Sequence, residues 1–229
     1  MNPQIFLIGA TGRTGKLVLK EALTRGHAVT AIVRKPNSSL PVHADLNVVV
    51  GDPCNATDIE KALRSTKPGV PVVIISTLGQ TRTSGNPWAA PTSPPRFMDA
   101  SANAVLAASK AVESSVRIDK LVVMSMFGVA DSFKNLNFLL RWTMRHSNMV
   151  QTIEDQTLVD ETVRRGNLPF VLVRPALLTE GDAAPVKVYP SSAEGVGFMP
   201  KVSVKTIAKF LVDAALKGDW DGNAPVITN

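Results

Sequence analysis

Near the amino end the chain reads Gln4-Ile5-Phe6-Leu7-Ile8-Gly9-Ala10-Thr11-Gly12-Arg13-Thr14-Gly15. Five extended residues, four of them apolar, run into a turn with glycines at positions 9, 12 and 15. A helix is predicted over Gly15–Arg25, with Leu17, Val18 and Leu23 sharing one side. The glycines have separate tasks: Gly9 lets the chain turn, Gly12 lets the backbone approach a pyrophosphate, and Gly15 lets helix and strand pack closely. The helix N-terminus adds oriented N–H groups and positive potential. Gly9, Thr11, Gly12, Arg13, Thr14 and Gly15 are therefore predicted to hold the phosphates of a dinucleotide.

Working outward, the strand and helix signals alternate. Strands are predicted over His27–Val33, Leu46–Gly51, Val70–Ser76, Lys120–Met124 and Phe170–Val173. Helices are predicted over Thr57–Leu63, Met98–Ser114, Asn148–Arg165 and Val204–Leu216, the last N-capped by Ser203. Such alternation builds a parallel sheet covered by helices, an α/β fold. Val72–Ile75 and Leu121–Met124 are apolar on both faces, as strands between two helix layers must be. Gln80–Arg96 breaks the rhythm with Pro87, Pro91, Pro94 and Pro95, a density expected to deny it a ladder or a helix. A connection this long inside a compact domain is usually functional or mobile.

Composition narrows the class. The 229 residues are 45% hydrophobic and 19% charged, enough apolar surface to offset ordering entropy and to exclude a disordered or fibrous chain. A single domain over residues 1–229 is expected. The net charge of +6 favours anionic partners, but the basic residues are scattered between elements instead of forming a nucleic-acid-binding stripe. One cysteine, Cys54, excludes an intrachain disulfide. No basic-then-apolar leader and no apolar run of membrane-spanning length is read, so a soluble cytoplasmic protein without membrane or nucleic-acid partners is expected.

The end of the second strand indicates which dinucleotide. NAD sites of this architecture place an acid there to accept the ribose 2′-hydroxyl, whereas NADP sites use arginine for the 2′-phosphate. Here Val33 is followed by Arg34 and Lys35. NADP(H) is the expected cofactor, with Arg13 bracketing the 2′-phosphate from the other side. Ligands bind open parallel sheets at the carboxyl ends of the strands. Gly51-Asp52 is thus placed at the adenine, Thr77-Leu78-Gly79 at the ribose and pyrophosphate, and Ser125-Met126-Phe127 at the nicotinamide. Asp52 has a second reading as the cap of the following helix.

Ile8–Gly15, Val33-Arg34, Gly51-Asp52, Val122-Val123-Met124-Ser125 and Val173-Arg174-Pro175 together resemble the atypical short-chain dehydrogenase/reductases of the NmrA-like group, including the biliverdin-IXβ/flavin reductase type. The likeness runs from Gln4 to about Lys217. It implies a Rossmann fold with NADP(H) lying across it and Pro175, Ala176 and Leu177 at the cofactor. It also implies a small lobe over the nicotinamide, contributed by residues 126–156 and 176–203. One departure matters. Carbonyl-reducing members pair a Tyr with a Lys four residues later, the Lys lowering the Tyr pKa so that it protonates the oxyanion. The only tyrosine here is Tyr189, and position 193 is Ala193. The helix that would carry the pair reads Met149-Val150-Gln151-Thr152-Ile153-Glu154-Asp155-Gln156.

Ser125 is the candidate catalytic residue, its hydroxyl polarising a substrate carbonyl; the bland alternative is a serine satisfying local backbone. His27, His43 and His146 are read as without catalytic role, and neither metal-ligand spacing nor an activated thiol is found. Glu154-Asp155 and Asp160-Glu161 are expected on a solvated face. Phe133, Phe138, Leu139, Leu140, Trp142, Met144 and Met149 make either a core element or the wall of a pocket for a flat apolar ligand. These readings lead to an NADPH-dependent reductase acting on a planar conjugated small molecule such as a flavin, quinone, tetrapyrrole or aromatic metabolite. The alternatives are a non-enzymatic NADP(H) sensor, or a non-redox isomerase, cyclase or lyase on the same fold.

Overall fold

The structure is a computed structural model that describes residues 2–36 and 39–229; Met1, Asn37 and Ser38, which the single-domain reading includes, lie outside the described residues. Strand β1 (Gln4–Ile8) is wholly buried and leads into α1 (Arg13–Thr24), then β2 (Val29–Val33) and β3 (Leu46–Val50). Helix α2 (Ala56–Arg64), β4 (Val72–Ser76), α3 (Phe97–Val112) and β5 (Ile118–Met124) continue the alternation. A 3-10 turn over Ala130–Asn135 precedes α4 (Phe138–Arg145), α5 (Met149–Arg165) and β6 (Phe170–Pro175). Short strands β7 (Leu177–Thr179), β8 (Lys187–Tyr189) and β9 (Lys201–Ser203), helix α6 (Val204–Leu216) and β10 (Val226–Thr228) complete the chain.

The main sheet runs β3-β2-β1-β4-β5-β6-β10-β8, parallel except for β8. Because the order reverses between β1 and β4, their carboxyl ends diverge into a crevice, the place where such sheets bind ligands. The strand period of two sends alternate side chains into two cores. Ile5 and Leu7 pack beneath α1 and α6 with Val18, Leu19, Ile207 and Leu211, while Phe6 and Ile8 pack beneath α2, α3 and α5 with Ile59, Leu63, Val105 and Val159. Ser203 caps α6 by accepting from the Thr206 amide.

A third, smaller core joins Phe127, Leu136, Ala193 and Val226, with Phe133, Leu140, Met144, Tyr189 and Val196 against it. Arg174 fixes this core to the sheet. Its side chain is fully buried, pairing with Asp160 at 2.6 Å and Asp131 at 2.5 Å and donating to the Ser191 carbonyl at 2.7 Å.

Two expectations fail here. Asp155 and Asp160 are buried, and only their neighbours Glu154 and Glu161 are exposed. Adjacent helix positions do diverge, but the acids on the inward side are partnered, Asp160 by Arg174 and Asp155 by two backbone amides. Arg96, which precedes α3 in a left-handed conformation, offers no cap, so Asp155 accepts from the Met98 and Asp99 amides at 3.0 and 2.9 Å. The Pro-rich segment also forms a short antiparallel pair: Thr92 donates to Thr81 and Thr83 to Ala90, with Arg82 opposite Pro91. Proline lacks only its own donor, which an edge position does not use.

Candidate cofactor and substrate site

The β1–α1 turn is shaped around its glycines. Gly9 adopts φ +86°, and a Cβ there would stand 2.7 Å from Thr77 Oγ1. A Cβ on Gly15 would lie 2.0 Å from the Gly9 carbonyl oxygen, so only glycine lets α1 start this close to β1. The Gly12 amide donates to Gly9 O at 2.9 Å, and the first helical bond runs from Lys16 N to Gly12 O. No side chain caps the helix, and no acid occupies its first turn. The amides that open α1 therefore remain available to an anion. Thr77 locks the other wall, its amide and hydroxyl both donating to Ile8 O at 2.9 and 3.0 Å. Thr11, Gly12 and Arg13 are exposed at the crevice, whereas Thr14 and Gly15 are buried. This cradle fits a dinucleotide pyrophosphate: it is a space a Cβ would fill, next to donors with no partner.

Along the crevice the other residues separate. Arg34 is exposed immediately beyond β2, with Lys35 beside it and no carboxylate at that strand end. Asp52 is exposed beyond β3 and does not cap α2. Asn55 does so, accepting from Thr57 and Asp58, while Asp52 accepts from Cys54 N at 2.9 Å. Leu78 is half-buried, and Gly79 is exposed with nothing near its missing Cβ. The guanidinium of Arg13, expected at the 2′-phosphate, meets Glu180, beyond β7, at 3.4 Å. Both partners are exposed, so this pair contributes little to stability.

Ser125 ends β5 with its amide bonded to Val173 O at 2.7 Å; its Oγ is buried without a partner. Among the described residues no backbone group satisfies this hydroxyl. Met126 is half-buried, while Phe127 packs in the small core and Ala176 in the main one. Pro175 is buried and accepts from Phe127 N, and Leu177 is exposed. Tyr189 packs in the small core on the edge strand β8. His146 is exposed and stacks on Trp142, with ring centroids 5.1 Å apart; His27 is buried with Nδ1 2.9 Å from Pro3 O, and His43 accepts from Asp45 N. Among the described residues no cluster of metal-ligating side chains occurs, and no helix is long and apolar enough to cross a membrane.

The sequence reading missed a polar cluster at the first turn of α5. Arg82 Nη2 donates to Thr152 Oγ1 at 2.7 Å, and Thr152 donates to Gln80 Oε1. It also left the apolar stretch undecided. In α4 no residue is fully buried: Leu140 and Met144 pack against the small core, while Phe138 and Trp142 are 79% and 53% exposed, so the stretch is part core flank and part open apolar surface. Phe198 and Met199 lie beside it, the Phe198 carbonyl accepting from Asn137 Nδ2.

Comparison with known proteins agrees with this geometry. The chain is 23% identical to a protein named reductase pytE from Aspergillus terreus, over 99% of this chain and 98% of the relative. Among solved structures, ChuY, an anaerobilin reductase from Escherichia coli O157:H7, superposes with a TM-score of 0.76 at 18% identity, covering 98% of this chain and 96% of that one. A short-chain dehydrogenase/reductase from Veillonella parvula, solved with NADP, gives 0.75 at 16% identity over 100% and 95%. These likenesses establish the Rossmann-type fold. The model of a family described as NAD(P)H-binding matches residues 9–217, from the first glycine of the cradle to the end of α6. The chain belongs to that NAD(P)H-binding family.

Proposed function

We propose that the protein is an NADPH-dependent reductase that delivers hydride to a planar conjugated small molecule. The observation that carries this reading is the uncapped glycine cradle with Arg34, instead of an acid, at the end of β2. The Arg34 guanidinium suits a 2′-phosphate, and the α1 amides hold the diphosphate. Bound NADPH supplies the hydride. Ser125 Oγ, unpartnered at the end of β5, donates a hydrogen bond to an oxygen of the acceptor. No Tyr-Lys pair supplies a proton; the inward residues of α5 near its start are Thr152, Asp155 and Gln156, and Asp155 is held by the Met98 and Asp99 amides. The acceptor is accordingly one whose delocalised system takes hydride and then a proton from water. The exposed Phe138, Trp142 and Phe198 give a flat apolar molecule its cover. The names of the relatives, both reductases, support the same class.

The test is NADPH oxidation across a panel of flavins, quinones and enones. Loss of NADPH absorbance with at least one acceptor is expected. Constant absorbance across the panel, with NADPH binding demonstrated, would replace this reading by the sensor. Product formed at constant absorbance would indicate the isomerase, cyclase or lyase.

A further inference from the structure

The segment after β4 holds a cation without a counter-charge. Other arginines that sink into the protein meet acids or carbonyls: Arg174 meets Asp160 and Asp131, Arg25 meets Glu21 and Asp213, and half-buried Arg141 donates to the Lys134 and Leu136 carbonyls. Arg82 is half-buried, yet among the described residues no carboxylate pairs with it, and burial alone pulls its guanidinium below the usual arginine value. Its bond to Thr152 engages Nη2, while Arg82 Nε and Gln80 Nε2 are buried with no partner. Both are donors. The cluster thus has hydrogens to give and no acceptor to receive them, a state that native proteins rarely leave unexplained. Asp155, one turn beyond Thr152, is committed to the amides that open α3.

Its place in the fold gives this imbalance meaning. Helix α5 starts at the carboxyl end of the sheet and runs back toward β6, so Thr152 stands at the level of the crevice. Gln80 directly follows the Thr77–Gly79 stretch of the proposed cofactor site. The segment is tied down on its far side by Trp88 Nε1 donating to His146 O at 3.0 Å and by Asn148 Nδ2 donating to Trp88 O at 2.8 Å.

Resting on the reductase reading, we infer that Arg82, steadied by Thr152 and Gln80, receives an oxyanion of the acceptor, so that the substrate is a planar conjugated molecule bearing a carboxylate or a phosphate. A guanidinium matches both groups through paired N–H bonds. A neutral analogue leaves the desolvated donors unpaired and is rejected for that reason.

The test uses equilibrium titrations of the full chain, followed by tryptophan fluorescence with NADP⁺ present. Two probe pairs share a ring system and differ in charge: FMN against riboflavin, and 2-naphthoate against 2-naphthamide. The anionic member of at least one pair is expected to bind about tenfold tighter, the gain of a charge-assisted hydrogen bond. Preference in the flavin pair assigns a phosphate, and preference in the naphthalene pair a carboxylate. Arg82→Gln should level the preference and Arg82→Lys should keep part of it, with NADP⁺ affinity unchanged in both. Equal or absent binding of the anionic probes, a preference that survives Arg82→Gln, or a variant that weakens NADP⁺ instead would overturn the inference. If Arg82→Gln does not fold, the wild-type preference must shrink with added salt, and a salt-independent preference would equally overturn it. A protein that selects the anions through Arg82 but never oxidises NADPH would overturn the reductase reading and leave this one standing.

Discussion

Arg174 on β6 and Asp160 on α5 form an ion pair at 2.6 Å in which the side chains are 0% and 6% exposed. The same guanidinium holds Asp131 and the Ser191 carbonyl, so one side chain ties α5, the 3-10 turn and the loop after β8 to the sheet. Replacing it by Arg174→Met leaves Asp160 buried with only Arg164, and breaking such a pair costs about 3 kcal/mol. In a domain of this size that lowers the melting temperature by roughly 10 °C in calorimetry. An unchanged transition would contradict the account.

The same contact gives a pH dependence. Burial works to raise the Asp131 carboxyl, but hydrogen bonds with Arg174 and Ser191 and the charge of Arg174 outweigh it and hold the group below the usual carboxylate range. A depressed folded pKa stabilises above the unfolded value of about 3.9, and that stability is lost as pH falls through the folded value. Unfolding free energy should therefore drop below about pH 4, and Arg174→Met should flatten that part of the profile.

Gly15→Ala tests the cradle. The added Cβ meets Gly9 O at 2.0 Å, backbone against which nothing can turn aside, so α1 must move from β1. Overpacking of this kind costs about 1–3 kcal/mol, and NADPH affinity should fall with it. Gly85→Ala, at a glycine with open space and no left-handed strain, should change neither quantity.

Much of this was legible in the sequence for identifiable reasons. Gly9 and Gly15 encode a backbone approach that no other residue allows, and Ser203 before an amphipathic run encodes a cap. Asp155 and Asp160 were misread because their partners, the α3 amides and Arg174, lie 56 or 57 and 14 residues away in the chain. Adjacency on one helix says nothing of what packs against it. Strands β8 and β10 escaped because three residues carry too little alternation, and tertiary pairing alone makes them strands. The Arg82 cluster escaped for a similar reason: its parts, Gln80, Arg82 and Thr152, are joined only when a Pro-rich segment folds back on α5.

Cys54 is expected to be inert. Burial, reinforced by the charge of Asp52, pushes its thiol up to about 11, and its Sγ points at the Phe97 carbonyl. At pH 7 the thiolate fraction is then about one part in 10,000. Labelling by a disulfide reagent at neutral pH should be far slower than for a free thiol and should accelerate as pH rises toward that value. Cys54→Ser should bind NADPH as the wild type does. Rapid labelling at neutral pH would refute this.

If the protein binds NADPH as proposed, the amides at the start of α1 take the diphosphate and Arg34 takes the 2′-phosphate. Calorimetric titration of ligand-free protein with NADPH and NADH, repeated on Arg34→Glu, tests it most directly. The account predicts NADPH binding at least about tenfold tighter than NADH in the wild type, with that advantage abolished in the variant. Absence of heat with either coenzyme, or an NADPH preference that Arg34→Glu leaves intact, would contradict it.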